Sequence, residues 1–173
     1  MAQPRQTHVT KRVVVLAGLP GSGKSTLAPP LCARFGLALI DRDQIRDRLF
    51  PDCRFTEAEK QAANQAVLEQ LRVNCAAGIS SLLDGMTFGR ESERRAVHSL
   101  ASDHGYGCTV LWLDCPEDVA AERVSHQPHP AADRSPQLVR DVAKRFEKPA
   151  DAVRLDALLA REELLQRAVT ALS

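Results

Sequence analysis

The chain predicts an α/β three-layer sandwich on a five-stranded parallel sheet, with a small lid. Three observations predict it. Short apolar runs alternate with segments of helical period, the pattern of successive βαβ units. The helical segments carry their own start and stop signals. With 173 residues, 44% hydrophobic and 26% charged, the chain is long enough for a continuous core and has an ordinary globular composition.

The elements follow in order. Val13–Ala17 reads as a buried first strand, and Lys24–Phe35 as the first helix, stopped by Gly36. Pro29 and Pro30 fall inside that helix, each removing an N–H and crowding the carbonyl four residues back, so a kink or a short first segment is expected. Leu37–Ile40 is a short second strand, followed by a charged turn and a short helix over 44–49. Thr56 and Glu59 make a capping box that opens a long helix to Ala77, with Gly78 as its stop. Ile79–Leu83 is the third strand, ending at Asp84, and a helix follows over 91–103. Cys108–Leu113 is the fourth strand, and Pro116 starts a helix through Val124. Residues 126–136 carry His, Pro and Asp and read as a loop, the best lid candidate. A helix over 136–146, a weak strand at Val153–Leu155 and a terminal helix over 158–172 complete the chain.

We expect a polar N-terminal tail over 1–11 and one domain over 12–173. The net charge of +1 advertises neither a nucleic-acid nor a membrane partner, although a local basic groove can hide in a neutral total. The cysteines at 32, 53, 75, 108 and 115 form no C-x-x-C pair and read as free thiols in a reducing compartment. Residues 1–11 offer no apolar signal core, and no run approaches the ~18 apolar residues of a membrane span, so a cytoplasmic location is expected.

The most specific signal is Gly18-Leu19-Pro20-Gly21-Ser22-Gly23-Lys24-Ser25-Thr26, which fits G-x-x-x-x-G-K-[ST] between a strand and a helix. Backbone N–H groups can converge on phosphate oxygens only where side chains leave room, hence the glycines. Lys24 would reach the outer phosphates, Ser25 would ligate Mg²⁺, and the helix N-terminus favours the anion. This is a nucleotide site, with ATP and Mg²⁺ as its expected occupants.

Phosphoryl transfer further needs a group to deprotonate the attacking hydroxyl and cations to meet developing charge. Strand carboxyl ends line the ligand crevice of a parallel sheet, which places 41–46 and Asp84 beside the phosphate loop. Asp43 is the candidate base and Arg46 a clamp on the acceptor or its phosphate. Asp41 could cap or orient the turn; a plain charged turn capped by Asp43 is the competing reading. Asp84 could hold Mg²⁺ through water or position the acceptor, or merely cap the next helix. Asp114, followed by Cys115-Pro116, reads as structural. Arg123, leading into the lid, and Arg134, within it, are the arginines placed to meet the transferring phosphoryl group. His126 and His129 flank Pro128, lack a completing ligand and read as loop histidines.

With these pieces located, the chain resembles the small P-loop kinases of the polynucleotide-kinase and zeta-toxin-like group, within the "predicted kinase" branch of AAA-like ATPases. The matching motifs are residues 18–26, Asp-Arg-Asp-Gln-Ile-Arg (41–46), Leu-Leu-Asp-Gly-Met-Thr-Phe (82–88), Glu-Arg-Arg (93–95), Glu-Arg-Val (122–124) and Arg-Phe-Glu-Lys-Pro (145–149). The resemblance implies Lys24 and Ser25 as ATP and Mg²⁺ ligands, Asp43 as base, Arg46 as acceptor clamp and Asp84 as an acceptor-site or metal-shell acid. Lids of that group resemble R-x-x-x-R, whereas Arg123 is followed four positions on by Gln127, so Arg134 stands as the replacement candidate.

The leading expectation is an ATP-dependent kinase acting on a hydroxyl of a small-molecule acceptor. The 4% aromatic content leaves few residues on which bases could stack. A polynucleotide 5′-hydroxyl kinase, an adenylylsulfate-type kinase and a nucleotide-binding regulator that transfers nothing are the alternatives.

Overall fold

A computed structural model describes residues 11–127 and 134–173. All but the last residue of the expected tail at 1–11, and most of the expected lid (128–133), lie outside the described residues. Five strands form one sheet: β1 (Arg12–Ala17), β2 (Ala38–Asp41), β3 (Ser81–Asp84), β4 (Gly107–Asp114) and β5 (Val153–Asp156). Their order is β2-β3-β1-β4-β5 and every pairing is parallel. The helices are α1 (Lys24–Phe35), α2 (Arg42–Leu49), α3 (Glu57–Ala76), α4 (Glu91–Asp103), α5 (Glu117–His126), α6 (Pro136–Lys144) and α7 (Arg161–Leu172).

The central strand explains the layers. Val13 to Ala17 are fully buried, because alternate side chains of β1 point into two separate cores. Val14 and Leu16 join Leu27 and Leu31 of α1 and Leu164 and Ala168 of α7. Val13, Val15 and Ala17 join Val67 and Leu71 of α3 and Val97 and Ala101 of α4. Since β1 sits between β3 and β4, its carboxyl end is the point from which chain connections leave in opposite directions. A ligand crevice opens at such a point.

Local signals set most boundaries. Thr56 caps α3 with a complete capping box, its backbone N–H donating to Glu59 Oε2 at 2.8 Å. Ser135 caps α6, accepting from Leu138 N at 3.1 Å, with Pro136 in the first turn.

Four expectations shift. Rather than breaking, α1 continues through Pro29 and Pro30 for 12 residues. Pro29 is exposed and Pro30 half-buried, while Leu27, Ala28 and Leu31 hold the core face, so neither ring has to fit into the core. The helix expected from 44 starts at Arg42, because Asp41 and not Asp43 is its N-cap. The third strand starts at Ser81; Ile79 is 43% exposed and its N–H is taken by the Asn74 carbonyl at the end of α3. The last helix starts at Arg161 rather than 158, because Leu158 N donates to Asp156 Oδ1 in a side-chain turn.

Candidate functional site

The loop between β1 and α1 is folded by its own glycines and neighbours. Gly18 has φ +150°, and an added Cβ would stand 2.8 Å from the Leu113 carbonyl oxygen. Gly21, at φ +84°, would meet the Ala120 carbonyl oxygen at 2.5 Å. The loop is thus wedged against β4 and α5, and only glycine fits there. Its root is pinned by Gly18 N donating to the Thr87 carbonyl at 3.0 Å.

Lys24 is buried at the first position of α1, and its Nζ donates to the Gly18 and Leu19 carbonyls at 2.8 and 2.9 Å. Burial lowers its pKa to about 8, against the opposing pull of Asp84. Asp84, at the end of β3, is 2% exposed, and Oδ1 has no hydrogen-bond partner. Burial raises its pKa, opposed by Lys24, the Gly85 N–H and the Ser25 hydroxyl.

Those two residues decide whether Mg²⁺ fits. Among the described residues no three His, Cys, Asp or Glu side chains converge. Magnesium beside a nucleotide needs no such cage, because phosphates and waters supply most of its ligands. A buried carboxylate with an orphaned oxygen beside the Ser25 hydroxyl suits it.

A cavity of about 540 Å³ opens beside this loop, lined by Gly21, Gly23, Lys24, Ser25 and Thr26 on one side. Its other walls come from the start of α2 (Arg42, Asp43, Arg46), from α3 (Lys60, Gln61, Asn64), from 85–93 and from 134–146. A nucleotide loop and a polar chamber are therefore one space. The volume lies in the range of small-molecule sites.

The start of α2 shows how two aspartates divide their work. Asp41 Oδ1 accepts from Asp43 N at 2.8 Å and Gln44 N at 3.3 Å, satisfying the helix end. Asp43 is thereby released from capping and lines the cavity, with Arg46 Nη1 donating to its Oδ1 at 2.8 Å. Arg46 is 2% exposed, donates also to Asp47 at 3.3 Å, and lies 4.8 Å over the Phe55 ring. Its Nε has no partner. The guanidinium expected to clamp the acceptor is thus largely committed to orienting Asp43.

Arg134 and Arg123 separate. Arg134 lines the cavity, its Nε buried without a partner, its pKa lowered by burial and raised by Asp43 and Asp84. Arg123 does not line it: Nη2 donates to the Ala157 carbonyl at 3.0 Å and Nη1 to Cys115 Sγ at 3.8 Å. That guanidinium ties α5 to the segment after β5 rather than facing the phosphate loop. Gln127, at the end of α5, does line the cavity. Asp114 bonds Arg154 Nε at 2.7 Å, tying β4 to β5.

Sequence reasoning gave no role to Arg90 and Arg145, which line the cavity, nor to Lys60, Gln61 and Asn64. The available signal was the Glu-Arg-Arg and Arg-Phe-Glu-Lys-Pro motifs. Glu93 Oε2 accepts Arg90 N at 3.2 Å, and Arg94 Nη1 donates to the Phe88 carbonyl at 2.7 Å, supporting a residue with φ 47°. Glu147 N donates to the Gly89 carbonyl at 2.8 Å, and its Oε2 accepts from Glu91 N at 2.5 Å. These two bonds join the 145–149 segment to the start of α4, and Phe146 stacks on Trp112 of β4 with centroids 6.4 Å apart.

Comparison with known proteins gives the family and the fold. An AAA domain family, AAA_33, matches residues 13–149, from the first strand to the end of the Arg-Phe-Glu-Lys-Pro motif. The chain belongs to that family, and within it to the P-loop kinases. An uncharacterized protein of Mycobacterium tuberculosis is 28% identical over 174 residues, covering 93% of this chain but 34% of that protein. The chain thus spans about a third of that relative. A shikimate kinase of Salinibacter ruber is 30% identical over 158 residues, covering 84% of this chain and 68% of the kinase. A gluconokinase structure from Sinorhizobium meliloti superposes with a TM-score of 0.70 at 20% identity, covering 93% of this chain and 91% of its own. It shares the fold. No helix among the described residues is long and apolar enough to cross a membrane.

Proposed function

We propose that this chain is an ATP-dependent kinase that moves the γ-phosphoryl group of ATP to a hydroxyl of a small-molecule acceptor. One observation carries the reading: Lys24 and Ser25 of the phosphate loop share a single cavity with Asp43, which Arg46 orients. The names of relatives support it, since shikimate kinase and adenylyl-sulfate kinase stand among them. Backbone amides of the loop between Gly21 and Ser25, with Lys24, would hold the triphosphate, and Ser25 with Asp84 would hold Mg²⁺. Bound there, the ion would neutralise charge on the β- and γ-phosphate oxygens. Asp43 accepts the proton of the acceptor hydroxyl, while Arg134 meets the charge on the transferring group.

The test is transfer from γ-labelled ATP to a panel of small alcohols, polyols and hydroxy acids, run beside a 5′-hydroxyl oligonucleotide. Asp43→Asn should lower transfer by about 100-fold or more, the usual worth of a general base, with nucleotide affinity unchanged. Equal loss of both would remove Asp43 from that role. Labelling of the oligonucleotide in preference to every small acceptor would replace the small-molecule reading. Tight ATP binding with no transfer to anything would replace the kinase reading itself.

A further inference from the structure

We infer that the acceptor is an anion: a small hydroxylated molecule bearing a carboxylate or phosphomonoester, held by Arg90 and Arg145. This rests on the kinase reading above, because it divides the cavity into a donor and an acceptor part.

The pairing of the cations that line the cavity carries the argument. Among the described residues five arginines and two lysines line it, against three carboxylates, Asp43, Glu57 and Glu93. Lys24 and Arg134 stand toward the triphosphate, and a magnesium-bound triphosphate carries a net charge of about −2, which those two cations balance. Of the others, Arg42 and Arg46 are tied to Asp43, and Arg46 also to Asp47, so Arg90 and Arg145 are the guanidinium groups of the wall that stand outside these pairs.

Geometry says where it sits. Arg90 opens α4 and Arg145 closes α6, and the two segments are joined by Glu147 N on the Gly89 carbonyl at 2.8 Å and by Glu91 N on Glu147 Oε2 at 2.5 Å. Between them an added Cβ on Gly89 would stand 2.9 Å from the Phe146 ring, so the Gly89 backbone packs against that side chain. Two guanidinium groups thus rise from one wall of the cavity. No ion pair ties either to a carboxylate among the described residues, whereas Arg46, Arg72, Arg95, Arg154 and Arg167 are all paired. Glu91, next to Arg90 in the chain, is paired with Arg95, and Glu93 has its Oε2 turned to the Arg90 backbone N–H. Guanidinium forks left in this state match the paired oxygens of a carboxylate or phosphate.

Matched probes test the inference: glycerate and glycerol 3-phosphate against glycerol, gluconate and glucose 6-phosphate against glucose. Binding is read calorimetrically on the protein with Mg²⁺ and a non-hydrolysable ATP analogue, and transfer is read separately with ATP. At least one anion should bind tenfold or more tightly than its neutral partner, and the better of the two series identifies carboxylate or phosphate. Arg90→Gln and Arg145→Gln should each weaken that anion by tenfold or more, leave the analogue's affinity within about twofold, and leave the neutral partner unchanged. Rescue of either by Lys would show that charge rather than shape is used. The inference falls if neutral partners bind as well as anions, if no anion binds at 10 mM (roughly the weak limit of a specific site), or if the two variants lose nucleotide and anion equally. Anion binding without transfer would overturn the kinase reading and leave this one standing.

Discussion

Gly85 offers a direct test of the claim that the strand end and the start of α2 are built as one unit. Its φ is +84°, and an added Cβ would lie 2.9 Å from Arg42 N and 3.1 Å from Asp41 Oδ1, the oxygen that caps α2. Gly36 is the control: it too is left-handed, at φ +63°, but a Cβ there meets nothing within 4 Å. Gly36→Ala should cost only the backbone term, about 1 kcal/mol. Gly85→Ala adds the loss or distortion of the Asp41 cap, about 1 kcal/mol, and the clash with a backbone nitrogen, for about 2–4 kcal/mol in total. At this chain length about 2–4 °C of Tm goes with each kcal/mol. Urea unfolding and thermal melts of the two variants side by side make the measurement. The expected drop is roughly 2–4 °C for Gly36→Ala and roughly 5–15 °C for Gly85→Ala. Equal losses would refute the idea that Gly85 is packed against the cap.

Further expectations concern charge. Lys24, with its pKa lowered by burial to about 8, is protonated below that pH and loses its proton above it in the nucleotide-free protein. A triphosphate binds the charged form, so affinity for ATP should be flat below pH 8 and weaken by about tenfold per unit above it, with proton uptake visible as a buffer-dependent binding enthalpy. Lys24→Met should bind weakly and without that slope; an unchanged slope would assign the pH dependence elsewhere. Arg46→Met keeps a side chain over Phe55 but removes the hydrogen bond to Asp43. It should cost about 1–3 kcal/mol in denaturant unfolding and lower kcat far more than it raises the KM for ATP. A rise in acceptor KM with kcat unchanged would return Arg46 to the role of clamp.

Strand order aside, the elements were legible because each carries a local cause. The β1–loop–α1 motif, the Thr56–Glu59 box and the Pro136 start all follow from short-range chemistry, and each stands within a residue or two of its expected place. The misplaced boundaries share one physical origin, competition between neighbouring groups for the same hydrogen bond. Asp41 and Asp43 are equally good caps by type, and their surroundings separate them: Gly85 packs beside Asp41 Oδ1, while Arg46 takes Asp43 Oδ1. Ile79 is apolar enough for a strand, yet its N–H goes to the Asn74 carbonyl. The loop side of the cavity was legible for the same local reason, since residues 18–26 are motif positions. Arg123 was not, because its role turns on the Ala157 carbonyl, 34 residues away. Arg90 and Arg145 were equally hidden, each ordinary in its own segment until Gly89 and Glu147 bring the segments together.

The near-zero net charge is instructive at this scale. It argues against a long polyanion, which averages the field over many ångströms of surface. A cavity of about 540 Å³, however, is only about one Debye length across at physiological ionic strength. Within such a distance, charges on the far side of the molecule are screened and only the lining counts. Exposed pairs such as Arg72–Glu69 and Arg167–Glu163 cancel on the surface, where each contributes little, and they dominate the total. The cations that matter to a small acceptor are those left out of that cancellation. A chain of +1 can therefore hold a site that selects anions, and composition alone excludes only partners large enough to feel the whole surface.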